Sequence, residues 1–149
     1  MIALLKFLHL LGVALLVGDV MVVALCKILG DRSGRIEIRH FAQRVLLLSD
    51  KVFLIPAIIL LMLAGHALVA VTGIPIWRNS FMLAAQACFV LSGLLWWFLL
   101  VPLQKRQMAQ LEQALQSGIL DPTYDFLSRQ WNIYGVLAMA FMVFWRAAP

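Results

Sequence analysis

Histidine, cysteine and methionine, the residue types that bind soft metals and haem iron, recur at one depth of this chain. His9 stands seven residues beyond Ile2 at the start of the first apolar segment, and His66 stands seven residues before Gly73 at the end of the second. Cys88 follows Phe81 by the same seven, and Met139 lies about as far from the end of the last apolar segment. Seven residues of helix cover about 10 Å. One layer of a helix bundle would then gather two imidazoles, a thiol and a thioether, with Gln86 close by. A neutral imidazole binds haem iron axially; joined by Cys88 or Met139 it suits copper. The competing reading is that each histidine hydrogen-bonds a neighbouring helix, while Cys88 and Met139 fill apolar gaps. Spacing alone leaves both open, although an ionisable residue in hydrocarbon is expensive and usually has a functional reason.

The elements that must carry these residues are membrane spans. Of 149 residues, 64% are apolar and 13% charged, where an ordinary soluble domain has about 25% charged. The apolar residues come in runs, from Ile2 to Leu25, Val52 to Thr72, Phe81 to Leu103 and Trp131 to Trp145. A span needs about 20 such residues, and helix satisfies the backbone within the segment. The first run carries Asp19 and lacks an A-x-A cleavage site, and it exceeds the roughly 7–15-residue core of a signal peptide. It reads as a retained span.

Charge sets the expected orientation. Lys27, Arg32, Arg35, Arg39, Arg44 and Lys51 belong to the first long loop and its flanks, and Lys105, Arg106 and Arg129 to the second. Only Lys6, Arg78 and Arg146 fall on the other side. Nine against three predicts cytoplasmic loops with both termini outside. Trp77, Trp131 and Trp145 are expected at the interfaces as an aromatic belt. The net charge of +5 follows from these loops; no strip of aromatic and basic residues points to nucleic acid. Cys26 and Cys88 fall in different leaflets, so no disulfide is expected.

Within the loops, Gly30-Asp31-Arg32-Ser33-Gly34 reads as a turn. Ile36 to Leu48 reads as an amphipathic helix with Phe41, Val45 and Leu48 set against Arg39, Gln43 and Arg44. The third span is expected to continue past Pro102 as a polar helix, Gln104 to Gln116, ending at Ser117-Gly118. Asp121-Pro122 starts the next helix, giving an antiparallel cytoplasmic hairpin. Pro56 is expected to kink the second span. On the first span His9, Gly12, Leu16 and Asp19 share one face. Gly12 admits a close neighbour, either a helix or a flat ligand. Asp19 is expected to face the bundle as a structural charge, paired with a cation near the inner surface, with a proton or cation path as the alternative. No nucleophile–base pair, phosphate loop, C-x-x-C or C-x-x-C-H motif is present, so any haem is non-covalent.

Leu5-Lys6-Phe7-Leu8-His9-Leu10-Leu11-Gly12, followed by Gly18, resembles the L-K-x-L-H-x-x-G opening of a bacterial family of predicted integral membrane proteins, domain-of-unknown-function family 2269. Asp50, Pro56-Ala57, Gly65, Val101-Pro102-Leu103 and Arg129-Gln130-Trp131 continue the resemblance over nearly the whole chain. In its first two spans that family is similar to the HemJ-type protoporphyrinogen oxidase, which binds b-type haem through a first-span histidine, and to the copper-resistance D membrane domain. The resemblance implies His9 as axial-ligand candidate, Pro56-Ala57 as the structural match in the second span, and the bacterial inner membrane as location. The other polar residues of the oxidase have no match here. His66 has no counterpart in the family pattern, and its role rests on the geometry of this chain.

The expected fold is an all-α antiparallel bundle of four transmembrane helices with cytoplasmic helical extensions, formed by one domain. The expected function is non-covalent binding of haem b in the membrane for electron transfer or as a redox accessory. His9 would be the ligand, His66 a second ligand or neighbour, and Gly12 part of the site. The alternatives are copper binding or permeation through His9, His66, Cys88 and Met139, and a cofactor-free structural subunit. The partners expected are the lipid bilayer and a second copy or larger membrane complex.

Overall fold

Helix is the only regular structure among the described residues, 1–73 and 78–143, of the computed structural model. The chain divides into two compact units, Met1–Pro75 and Ile76–Pro149. In the first unit, helix α1 (Ile2–Arg32) packs along α2 (Ile36–Ser49) and α3 (Ile55–Thr72), which are joined end to end by a π turn, Asp50–Leu54. In the second, α4 (Ser80–Leu95) continues through another π turn, Trp96–Leu100, into α5 (Val101–Ser117), and α6 (Thr123–Val143) packs on both.

Gly12, Leu16, Val23, Lys27 and Gly30 are the buried residues of α1. Their spacing of three, four and seven follows one face of a 3.6-residue helix. Ala57 and Ala64 are buried on α3 and Ala42, Gln43 and Leu46 on α2. Small residues on both sides let backbones approach, as helices in lipid require for dense packing. The α1–α2 end of the seam is polar. Lys27 is buried with its Nζ 2.9 Å from Asp31 Oδ2. Arg39 donates through Nε and Nη2 to the Asp31 backbone carbonyl at 3.2 and 3.0 Å, satisfying a last-turn carbonyl that α1 itself leaves open.

The chain reversal comes later than the turn expected at Gly30 to Gly34. α1 runs on to Arg32, Ser33 Oγ donates to the Gly30 carbonyl at 2.6 Å, and Gly34 takes the positive φ of +69°. Gly30 serves a different purpose. A Cβ there would stand 2.6 Å from the Ala42 Cβ, so its missing side chain is what lets α2 lie against α1.

Each π turn ends two residues before a proline. Ile55 N–H bonds the Asp50 carbonyl ahead of Pro56, and Val101 N–H bonds the Trp96 carbonyl ahead of Pro102. Proline has no N–H, and its ring crowds the carbonyl four residues back. Widening the preceding turn to i→i+5 relieves that crowding without ending the helix. Where a kink is expected at Pro56, the helix therefore answers with a π turn. Trp96 and Trp97, in the second π turn, have ring centroids 6.0 Å apart at a 56° tilt, and Trp97 is exposed.

The second unit has a mixed interior. Ser92 Oγ donates to the Ala138 carbonyl at 3.1 Å in a buried bond that ties α4 to α6. Leu111, Ala114 and Tyr124 are fully buried, and so is Gln107. Gln110 Nε2 donates to Thr123 Oγ1 at 2.7 Å. α5 ends as expected at Gly118, with φ +73° and its N–H on the Ala114 carbonyl at 2.8 Å. At the start of α6, Asp121 Oδ1 accepts from the Thr123 N–H at 2.8 Å. That bond favours the carboxylate and holds the Asp121 carboxyl below its ordinary range.

Three helical segments, Ile2–Arg32, Ile36–Thr72 and Ser80–Ser117, are long and apolar enough to cross a membrane, and at most 22% of the most apolar stretch of each lies inside the protein. Phe7, Leu10, Leu63 and Phe98 face outward, an arrangement suited to lipid as solvent. The fourth run, Trp131 to Trp145, begins in α6 and extends past the described residues, and Trp77 and Trp145 of the aromatic belt also lie outside them. Trp131 is buried rather than set at an exposed interface; α6 turns it inward together with Tyr124 and Ser128, seven and three positions before it.

Because Gly30 and Ala42 meet face to face, Gly30→Ala should lower stability by about 1–3 kcal/mol through overpacking. Ala42→Gly in the same chain should restore part of that loss. Thermal unfolding of the purified variants in mild detergent measures both; full tolerance of Gly30→Ala would contradict the contact.

Candidate functional site

The α1–α3 seam places His9. Gly12 lies so close to α3 that a Cβ on it would stand 3.1 Å from the Leu61 Cα and backbone nitrogen. One turn nearer the start of α1, the His9 ring rests over Gly65, and Nδ1 lies 3.2 Å from the Leu61 carbonyl. A carbonyl oxygen only accepts, so Nδ1 is the donor and carries the proton. Neutral His9 therefore keeps its lone pair on Nε2, the atom that binds metal when the other ring nitrogen is held by a carbonyl.

His66 makes the same choice on its own helix. Its Nδ1 donates to the Met62 carbonyl at 2.8 Å, again leaving Nε2 with the lone pair. Leu61 and Met62 are consecutive, so the two rings hang from carbonyls about 1.5 Å apart in rise and about 100° apart around α3. They differ in surroundings. His9 is half-buried between α1 and α3, whereas His66 is exposed.

Cys88 and Met139 belong to the second unit, half-buried on α4 and α6, with Gln86 half-buried on α4. Both cysteines are free thiols. Among the described residues no three or more His, Cys, Asp or Glu side chains come together as a metal-holding group.

Asp19 has a partner that differs from the one expected. The Ser49 hydroxyl at the end of α2 donates to its Oδ1, and Lys27, two turns away, pairs with Asp31. Lys27 and Asp31 are four apart on α1 and stack directly on its surface. Oδ2 of Asp19 is buried without a hydrogen-bond partner among the described residues. Asp19 thus fastens α1 to the α2 end through a hydroxyl rather than a cation.

Two contributors escape a reading of the sequence. Ser49 is an ordinary serine at the end of an amphipathic helix. Gly65 enters only as a motif residue, although its place directly before His66 and four after Leu61 is the signal that could have found it.

The profile of a family of predicted integral membrane proteins, DUF2269, matches residues 3–145. The chain belongs to this family. The match takes in α1 with His9 and Gly12, and α3 with Leu61, Gly65 and His66. Family membership makes the bilayer the solvent of the outward Phe7, Leu10 and Leu63 side chains. No curated protein and no solved structure matches the chain.

Replacing Ser49 by Ala leaves the Asp19 carboxylate without its donor. A hydrogen bond to a charged group contributes about 1.5–3 kcal/mol, and Ser49→Ala should cost about that much stability. In an Asp19→Leu background the same change should have little further effect. Detergent unfolding of the single and double variants checks this, and additive losses would contradict the pair.

Proposed function

We propose that this protein binds haem b non-covalently in the bacterial cytoplasmic membrane and carries electrons or serves as a redox accessory. His9 is the axial ligand. The observation that carries the reading is the His9 Nδ1 bond to the Leu61 carbonyl, 3.2 Å long, which leaves Nε2 as the one ring atom with a lone pair. The donor set fits the group: a single imidazole held in the ligating tautomer, half-buried between apolar helices, with no side chain on Gly65 to crowd it. Bound haem supplies a one-electron couple whose potential follows the axial ligand and the polarity around it.

The residues of the chain have defined tasks in this reading. Leu61 orients the His9 ring through its carbonyl, Gly12 sets the approach of α1 to α3, and the outward apolar surfaces keep water away. His66, with the same tautomer one carbonyl further along α3, is the neighbouring imidazole and the candidate for a second ligand. Haem takes precedence over copper because one imidazole with a fixed tautomer is enough to hold a haem iron.

The bundle has four spans in this reading, with α6 as the fourth. Both termini are periplasmic, and the α1–α2 and α5–α6 connections are cytoplasmic, following the nine-to-three distribution of basic residues. A second copy or a larger complex is the partner to which a small carrier of this kind passes electrons. Cysteines introduced at Ser33 and Gly118 should resist membrane-impermeant labelling in intact cells and react once the membrane is opened. Labelling of either from outside would invert the topology.

Protein purified in mild detergent after expression with ample haem should show a Soret band and, on reduction with dithionite, distinct visible bands. His9→Ala should abolish or shift them. His66→Ala should do so only where both imidazoles hold one iron. A colourless protein with stoichiometric copper lost in His9→Ala or Cys88→Ser would replace haem by copper. Neither haem nor metal, with His9→Ala folding normally, would leave a structural subunit.

A further inference from the structure

An ideal Cβ on Gly65 would stand 3.1 Å from His9 Cε1 and 3.2 Å from His9 Nδ1, and beyond its chain neighbours and its own helix backbone would meet no other described residue within 4 Å. The ring edge over Gly65 is the edge that carries the Nδ1 proton to the Leu61 carbonyl. Leu61 and Gly65 are four apart on α3, so the acceptor and the missing side chain lie on one strip of the helix surface. We propose that Gly65 is a positioning residue for the His9 imidazole. Its bare Cα leaves the seat in which Nδ1–H reaches the Leu61 carbonyl and Nε2 is held as the ligating atom. The inference deepens the haem reading and rests on it for the use to which Nε2 is put.

The seat has no slack. A methyl group at 3.1–3.2 Å requires the ring to give by a few tenths of an ångström. The Nδ1–carbonyl distance of 3.2 Å already stands at the long end of ordinary hydrogen bonds, so a shift away from the carbonyl breaks the bond. The imidazole then turns about its broad, roughly two-fold outer torsion, and no acceptor keeps the proton on Nδ1. Gly12 acts differently. Its Cβ would meet the Leu61 backbone and side chain, with no His9 atom among its nearest contacts, so it sets the separation of the helices and reaches the ring only through that separation.

The test uses the full chain in mild detergent without added haem, as wild type, Gly65→Ala, His9→Ala and the double variant. Gly65→Ala should lower the unfolding midpoint of the wild type. In the His9→Ala background it should leave the midpoint unchanged or raise it, because the ring is gone and alanine is otherwise the better helix former. Such non-additivity belongs to groups in direct contact. Gly12→Ala, which overpacks the Leu61 backbone whether or not the ring is present, should lower the midpoint in both backgrounds. Nitrogen-15 NMR of histidine-labelled protein should find the His9 proton on Nδ1 in the wild type and on both nitrogens, as a mixture, in Gly65→Ala.

Titration with hemin should then show at least tenfold weaker binding to Gly65→Ala than to the wild type. Equal destabilisation by Gly65→Ala in both backgrounds, or an unchanged Nδ1–H tautomer, would overturn the positioning role. If Gly65→Ala does not fold, the double variant must fold; failure of both would also overturn it. A wild type that takes up no haem overturns the function proposed above, and the seat is then upheld or overturned by the thermodynamic cycle and the tautomer alone.

Discussion

The approach of α1 to α3 at Gly12 is the contact on which the histidine geometry depends. With the Gly12 Cα against the Leu61 backbone, residues one turn away are brought within hydrogen-bond reach of α3 carbonyls, and His9 is the residue at that place. A helix held further off by a side chain could not deliver an imidazole to a carbonyl on its neighbour. The same seam closes at its far end on Gly30, where Ala42 of α2 takes the space of the missing Cβ. Gly12 and Gly30 are eighteen residues apart, which is about five helical turns. Two glycines on one line of α1 thus hold it against α3 at one end and α2 at the other. Leu16, Val23 and Lys27 fill the seam between them.

Bringing α2 and α3 into one line along α1 requires passing a proline. The π turn at Asp50–Leu54 absorbs Pro56 while the helix continues, so one segment presents Ala42 to Gly30 and Leu61 to Gly12. Ser49, the last residue before the turn, meets Asp19. The second unit repeats the device at Trp96–Leu100 and Pro102 in a helix whose apolar half comes first. In both segments the wide turn falls where apolar sequence gives way to polar. There a proline-freed carbonyl has other donors within reach more readily than it would in mid-bilayer.

Periodicity made much of this legible. The face of His9, Gly12, Leu16 and Asp19 follows from the 3.6-residue repeat, and it is the face turned to α2 and α3. The end of α5 at Gly118 and the start of α6 after Asp121 follow from turn and capping chemistry, which is local. Partners distant in sequence were not legible. Gly30 looks like a turn residue because glycine serves both reversal and close approach, and only the position of Ala42 decides between them. Asp19 looks as though it needs a cation because charge is visible in a sequence, while a serine thirty residues away gives no sign of facing it. Trp131 looks interfacial by type, but its helix turns it inward. The π turns were not foreseen, since proline announces a disturbance without saying which form it takes.

The two histidines show why the type of residue says less than the bond that holds it. His66 bonds a carbonyl of its own helix, so its tautomer is set locally and follows α3 wherever that helix goes. His9 bonds a carbonyl of another helix, so its tautomer exists only while α1 and α3 stay in contact. A change that parts the seam, through Gly12, Gly65 or the polar fastening at Asp19 and Ser49, releases the His9 ring and leaves that of His66 in place. The availability of Nε2 on His9 as a fixed ligand is therefore a property of the assembled helix pair rather than of the residue. Packing forces along the whole of α1 are brought to bear on a single nitrogen atom.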